Sequence, residues 1–256
     1  MELKLGKKKY EHDERTLMMT KYITDLWAPS RWDFDAGRNK FISRMWANDD
    51  WGDCVIAGRA NQQVRLERME QRRTIIITDQ DVISSYQNLS GAVEPGDKND
   101  IGIEVIDGMR DWRNNGWNLG RHNYKITAYG ELDPGNFQSL CAATYHLCGV
   151  HLGFWLPKSA EQMLDEGVWD YAGQNGPNWK PGSWGGHLTY CKKYDGSNLY
   201  VLTWGMQIRV TQRFLDRYCD EAWAVVDSAD SWRSKNSIDV DKLMNDLQAI
   251  STKINR

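Results

Sequence analysis

The sequence predicts an α+β fold. Helical periodicity governs the front of the chain, strand-like runs recur behind it, and 256 residues of 29.6 kDa are enough for one large domain or two lobes with their own cores. Intrinsic disorder and peptide-sized scaffolds are excluded by the same length and composition.

Residues 1–26 are charged and read as a peripheral N-terminal extension, with Lys7-Lys8-Lys9 as a solvated run. Pro29 opens an extended stretch that reaches the segment WANDDWGDC. A helix is predicted from near Asp53, with Cys54 in its first turn. Val55, Ile56, Ala57, Ala60 and Val64 form an apolar stripe that fades into Arg- and Glu-rich turns by Arg73, as in a long helix buried mainly at its start. Thr78-x-x-Asp81 matches a capping box, in which each side chain satisfies the other residue's backbone N–H, and opens a shorter helix through Tyr86. The loop SGAVEPGDKND has turn chemistry throughout, and a helix bearing Val105, Ile106, Met109 and Trp112 follows, with Gly116 beyond its end.

The second half changes character. Tyr124, Ile126 and Ala128 alternate as a strand would, and after Asp133-Pro134 the spacing of Phe137, Leu140, Cys141, Thr144 and Cys148 predicts a helix with both cysteines on its buried face. Strand-like runs recur at 150–156, 187–194, 199–204 and 222–226, with the Gly- and Trp-rich loop GQNGPNWKPGSWGG before the second. From Asp227 the chain is polar until Val240, Leu243, Met244, Leu247 and Ile250 form an amphipathic helix within a C-terminal extension, 227–256.

Lys and Arg total 32 against 35 Asp and Glu, so the net charge of −3 lacks the positive field that tracking phosphates requires, and no nucleic-acid partner is expected. No apolar run approaches the roughly 18 residues of a membrane span, and MELKLGKKKYEHDERT has no hydrophobic signal core, so neither a membrane partner nor export by a signal peptide is expected. Cys54, Cys141, Cys148, Cys191 and Cys219 are odd in number and sparsely spaced, which suits a reducing compartment. Without a CxxC pair or a His/Cys cluster at ligand spacing, no metal and no other cofactor is expected. Most of the 13 Trp are core by default, while Trp179 and Trp184, on the loop before His187, are candidates to flank a cleft.

Cys54 and His187 are the candidate reactive pair. The thiolate is the nucleophilic form of cysteine, and helix N-terminal N–H groups together with a neighbouring imidazolium stabilise it. Cys54 has the helix terminus. His187 lies 133 residues downstream, directly after Gly185-Gly186, where small residues let a substrate backbone approach.

That order and spacing resemble the papain-like cysteine peptidases, over nearly the whole chain. Pro29-Ser30-Arg31-Trp32-Asp33 resembles their mature-start segment, and WANDDWGDCVIAGRA their glutamine-to-cysteine motif and central helix. DVISSYQNLSG and IGIEVIDGMRDWRNNGW are similar to the other left-lobe helices, and YKITAYGELDPGNFQSLCAATYHLCGVHLGF to the entry into the right lobe. GGHLTYCKKYDGSNLYVLTWG resembles the histidine strand, hairpin and asparagine-x-tryptophan-glycine segment. The resemblance implies a papain-like two-lobed domain over 27–226, with a helical lobe over about 50–120 carrying the central Cys helix and an antiparallel, β-barrel-like sheet lobe over about 121–226. The WGDC form and the tail look most like papain-like proteins of tailed bacteriophages, implying a location in the host cytoplasm or the virion.

Carried over residue by residue, the resemblance makes Cys54 the nucleophile and His187 its general base and later its acid. Asn48, six residues before Cys54, stands where the family has its oxyanion-hole glutamine, and the Cys54 N–H is the second donor. Trp204 corresponds to the tryptophan shielding the histidine's partner. Gly102, Gly185, Gly186, Trp184 and Trp204 are the expected substrate-binding residues, and a protein or peptide is the expected substrate. Three departures stand out. The orienting asparagine is absent, with Thr203 nearest its place; Asp53 sets a carboxylate beside the thiolate; and Trp51 replaces the first cysteine of the CGSC-type motif. Two functions therefore stay open: a thiol peptidase or amidase using a Cys–His pair, and a catalytically silent papain-like scaffold serving as a virion structural or interaction protein with other virion proteins as partners. The extension over 1–26 is too short for a folded inhibitory propeptide, so autoinhibition by a full prodomain is not expected.

Overall fold

A 17-residue helix, Cys54–Glu70 (α1), is the axis on which the two halves of the chain meet. The computed structural model describes residues 3–13, 16–24, 26–36, 43–70, 72–227 and 238–254. Burial along α1 does not fade after its first turns as its composition predicts; it continues to Glu67, with only Val64 partly exposed. The polar residues that suggested a solvated face have protein partners instead. Arg59 Nη1 donates to Asp111 at 2.7 Å while its guanidinium lies over the Trp112 and Trp117 rings. Arg65 forks onto both oxygens of Asp35, and Gln62 donates to the Leu147 and Cys148 carbonyls and contacts His151 at 2.7 Å. A buried charge is tolerated only when so paired. Arg59→Ala should therefore lower unfolding free energy by about 3 kcal/mol in urea titrations, because Asp111 loses its counter-charge at a site largely closed to water.

Around α1 stand Asp79–Ser90 (α2) and Val105–Asn114 (α3). The Thr78/Asp81 capping box is present, and α2 runs one turn beyond Tyr86 to Gly91, whose φ of 74° ends it in the left-handed conformation. Trp117–Leu119 (β2) and His122–Tyr124 (β3) form a separate hairpin. The strand expected over 124–128 is therefore a correction: β3 ends at Tyr124, and the next strand, Ala128–Leu132 (β4), begins where the predicted one stops. All five residues of β4 are buried, with Leu17 and Met19 lying against Gly130, so β4 has no polar face to alternate with.

The large sheet joins β4 to Cys219–Val226 (β10), then Val150–Leu156 (β5), Gly185–Tyr194 (β7), Asn198–Thr203 (β8), Met206–Thr211 (β9) and Val168–Trp169 (β6), with Trp32–Asp33 (β1) on β7. Pairing is antiparallel except between β6 and β9, and no described pairing closes β6 onto β4. Phe137–His146 (α4) packs on β5 and β7 and carries the buried Cys141. Cys148 is not on that helix, as its spacing predicted; it sits in the following turn at φ 58°, where its carbonyl accepts from the Tyr190 hydroxyl. Ser159–Gln162 (α5) is a single turn. Sequence patterning also misses β9 and the helix Gln212–Tyr218 (α6), short elements joined without a turn. The amphipathic helix Val240–Ile254 (α7) packs on β4 through Leu243 and Leu247, while Met244 of the predicted stripe faces solvent. None of the five cysteines is in a disulfide. Among the described residues, no helix is long and apolar enough to cross a membrane.

Candidate active site

Packing of α1 against β7 sets the first residue of the helix beside the start of the strand. Cys54 Sγ accepts the Leu188 N–H at 3.3 Å, one residue past His187. His187 is fully buried. Its Nε2 lies 2.5 Å from Thr203 Oγ1, and the Trp204 indole covers its ring in a near-parallel stack, centroids 3.9 Å apart. Thr203 ends β8, and Trp204 turns the chain toward β9 at φ 46°, which brings hydroxyl and indole to the same ring. The other ring nitrogen, Nδ1, has no hydrogen-bond partner. Tertiary structure thus gathers Cys54, His187, Thr203 and Trp204, while leaving the sulfur bonded to a backbone N–H rather than to the imidazole.

The cleft above them is filled by the chain's own amino-terminal segment. Lys4 N–H donates to the Asn48 carbonyl and the Lys4 carbonyl accepts from Trp204 Nε1. Lys7 N–H donates to the Gly186 carbonyl at 3.1 Å, Ile103 N–H to the Gly6 carbonyl at 3.0 Å, and Lys8 N–H to the Ile103 carbonyl at 3.1 Å. At Gly6 the strap passes so close to the helix entry that a Cβ there would lie 1.8 Å from the Gly52 carbonyl oxygen, and a Cβ on Gly102 would lie 2.0 Å from the Gly6 oxygen. Residues 4–8 are therefore not peripheral, and Lys7 of the run read as solvated is buried. Leu3 and Leu5 also pack on the core, Leu5 against Gly185, but two leucines are too short a pattern to mark a docked strap within so charged a stretch.

Of the expected substrate-binding residues, Gly102, Gly185 and Gly186 border the strap, though the backbone that pairs with it belongs to Ile103 rather than Gly102. Trp184 packs on Trp204 at 5.4 Å. Trp179 does not accompany it: it packs on Tyr171 and gives its carbonyl to Tyr218 of α6. Tyr86 and Asp100, which the sequence reading did not single out, brace both walls of the cleft. Asp100 Oδ1 accepts from the Tyr86 hydroxyl and the Gly52 N–H, each at 2.8 Å, and the Tyr86 hydroxyl accepts the Gly102 N–H.

No protein-family model matches the sequence, and no curated protein does. Solved structures do. Xylellain, a cysteine protease from Xylella fastidiosa, aligns over 89% of this chain and 97% of its own with TM-score 0.67 and 15% identity. ProCathepsin B S9 from Trypanosoma congolense covers 88% and 87% at TM-score 0.60 and 10% identity. The Carica candamarcensis cysteine protease CMS1MS2, solved in complex with E-64, covers 78% and 99% at TM-score 0.55 and 11% identity. The fold is papain-like.

Within this papain-like frame the expected oxyanion donor is engaged elsewhere: Asn48 is buried and its Nδ2 donates to the Trp51 carbonyl at 3.1 Å, so the amide is turned onto its own loop. Burial pushes the Asp53 carboxyl well above the ordinary carboxylate range. Burial likewise pushes the Cys54 thiol up to about 12, although the Leu188 and Gly6 N–H groups hold it down. It pulls His187 down to about 3, with the Lys7 charge adding to the effect. Under the strap the pair is thus a neutral thiol beside a neutral imidazole.

A histidine held below its ordinary value stabilises the folded state fully above that value and progressively less as pH falls. His151, buried on β5 and also pulled down to about 3, acts the same way. Between roughly pH 6 and 3.5 these two residues should steepen the loss of unfolding free energy by about 1.4 kcal/mol per pH unit each. Denaturant titrations across that range will show it, with His151→Gln removing about half of the contribution.

Proposed function

We propose that the chain is a latent papain-like thiol peptidase, or an amidase of the same mechanism, whose cleft is occupied by its own residues 4–8. What carries this reading is the alignment of Cys54 at the start of α1 with a histidine whose Nε2 is held by Thr203 and whose Nδ1 is unpartnered, directly beneath a bound stretch of peptide backbone. When the strap withdraws, water re-enters and the Lys7 charge leaves, so thiol and imidazole return toward their ordinary values and an ion pair becomes accessible. His187 Nδ1 then takes the Cys54 proton, and the thiolate attacks the substrate's amide carbonyl. The Cys54 N–H, joined by Asn48 once its amide turns from Trp51, receives the developing oxyanion. The imidazolium returns its proton to the leaving amine, and water releases the acyl group. Thr203 holds the ring in the tautomer this sequence requires.

The same proposal takes the chain as phage-encoded and active in the host cytoplasm or the virion, on the strength of its WGDC segment and tail. The buried thiol and filled cleft favour a second reading, the silent scaffold. Labelling of the full chain at neutral pH with an epoxide inhibitor of thiol peptidases, followed by peptide mapping, separates the two. The peptidase reading expects selective modification of Cys54, slow in the native chain and faster once the strap is loosened. Folded, strap-loosened protein with Cys54 unmodified would sink it.

A further inference from the structure

Lys7 occupies a pocket built for it. Its side chain is fully enclosed, and its Nζ lies 2.9 Å from Asp220 Oδ2 and 2.8 Å from Glu221 Oε1 while donating to the Lys8 carbonyl. The aliphatic stem lies against Gly153 and the backbone carbonyl against Gly186. A Cβ on Gly153 would approach Lys7 Cδ to 2.9 Å and Glu221 Cγ to 2.5 Å, and one on Gly186 would meet the Lys7 carbonyl oxygen at 2.0 Å and the Trp155 ring at 2.9 Å. Glu221 is itself buried and fixed from behind, its Oε2 accepting from Trp223 Nε1 at 2.6 Å. One ammonium against two carboxylates leaves the pocket net negative, and vacating it strands a buried carboxylate, which strongly favours refilling by another cation. The pocket belongs to the catalytic cleft, since the backbone of its occupant docks on Gly186, next to His187, and the preceding residue, Gly6, directs its N–H at the Cys54 thiol.

Resting on the peptidase reading, we infer that the Gly153–Trp155–Asp220–Glu221 pocket is a specificity site that selects substrates by a Lys or Arg side chain next to the residue lying over Cys54, and that Lys7 fills it in cis. Acidic side chains are repelled, and apolar ones leave Glu221 buried without a counter-charge. This tight, charge-matched filling adds to the backbone pairs and the Leu3 and Leu5 contacts that keep the strap docked.

Two readouts on full-length chains test the inference separately from the chemistry. Binding is measured by fluorescence anisotropy to Cys54→Ala/Gly6→Val/Lys7→Ala protein, using labelled peptides of sequence Lys-Leu-Gly-X-Lys-Lys-Tyr in which X is Lys, Arg, norleucine or Glu. Lys and Arg peptides should bind about tenfold or more tighter than norleucine, and Glu should bind least. Glu221→Gln, which keeps shape and the Trp223 contact, should collapse that ratio to about threefold or less, with Asp220→Asn, on the more exposed neighbour, acting in the same direction but less. Equal binding of norleucine and Lys, or a ratio unmoved by Glu221→Gln, overturns the inference. In the second readout, Gly6→Val/Lys7→Ala protein with Cys54 intact is given a random peptide library and cleavage sites are read by mass spectrometry. Enrichment of Lys and Arg at one position within two residues of the cut supports the inference, whereas cleavage without basic preference overturns it and leaves the peptidase reading standing. Lys-selective binding with neither cleavage nor Cys54 labelling overturns the peptidase reading and upholds the pocket as a site for basic side chains.

Discussion

Gly6→Val is expected to expose Cys54. A valine Cβ at this position would lie 1.8 Å from the Gly52 carbonyl oxygen, and Gly52 cannot retreat, because Asp100 holds its N–H and is itself held by Tyr86. The strap must therefore rise from the cleft, losing the backbone pairs with Ile103 and Gly186. An overpacking penalty of about 3 kcal/mol corresponds to roughly a hundredfold increase in the open population. The rate of Cys54 alkylation at pH 7.5 should increase by about that factor, read by timed quenching and peptide mapping. Hydrogen exchange at the Lys8 and Ile103 amides should accelerate alongside it. An unchanged alkylation rate in protein whose Lys8 and Ile103 amides have lost protection would show that the strap is not what shields the thiol.

With the strap loosened, Cys54→Ala should abolish hydrolysis. In the Gly6→Val background, kcat/KM on a fluorogenic peptide should fall by about 10⁴ or more, and His187→Ala should cost nearly as much, with the double variant little worse than either, because nucleophile and base act as a unit. Thr203→Val keeps the shape but removes the hydroxyl at Nε2, and should lower kcat by about tenfold while leaving KM near its parent value. Cys54 is a small buried side chain whose sulfur only accepts from backbone N–H groups such as that of Leu188, so Cys54→Ala should shift the unfolding midpoint only slightly. Residual hydrolysis above about 1% of the parent in Cys54→Ala would assign the chemistry to another group.

Much of the site was legible in the sequence because its elements are local. The capping box at Thr78 and Asp81, the helix beginning at Cys54, the Gly185-Gly186-His187 strand start and Thr203 at the end of its hairpin are each written in a few adjacent residues. Where patterning failed, the cause was packing. The polar residues of α1 mimic a solvated face, yet Arg59 and Arg65 are enclosed with their counter-charges from α3 and the β1 region. Strand β4 hides its period because both of its faces are covered, and Cys148 left its helix because the chain must turn between His146 and the start of β5 at Val150.

The fold class was readable from the sequence alone, as were the candidate pair Cys54 and His187 and the threonine that lies at Nε2, since helix starts, strand starts and residue types are short-range properties of the chain. Only the tertiary structure decided the state of that pair. The strap is separated from Cys54 by about 50 residues and from His187 by about 180, and it meets their surroundings through backbone hydrogen bonds, a glycine contact and the buried Lys7 ion pairs, none of which leaves a periodic trace. Because charge is stabilised by water, burial at that contact pushes the Cys54 thiol up and pulls the His187 imidazole down, and no short-range pattern encodes that burial.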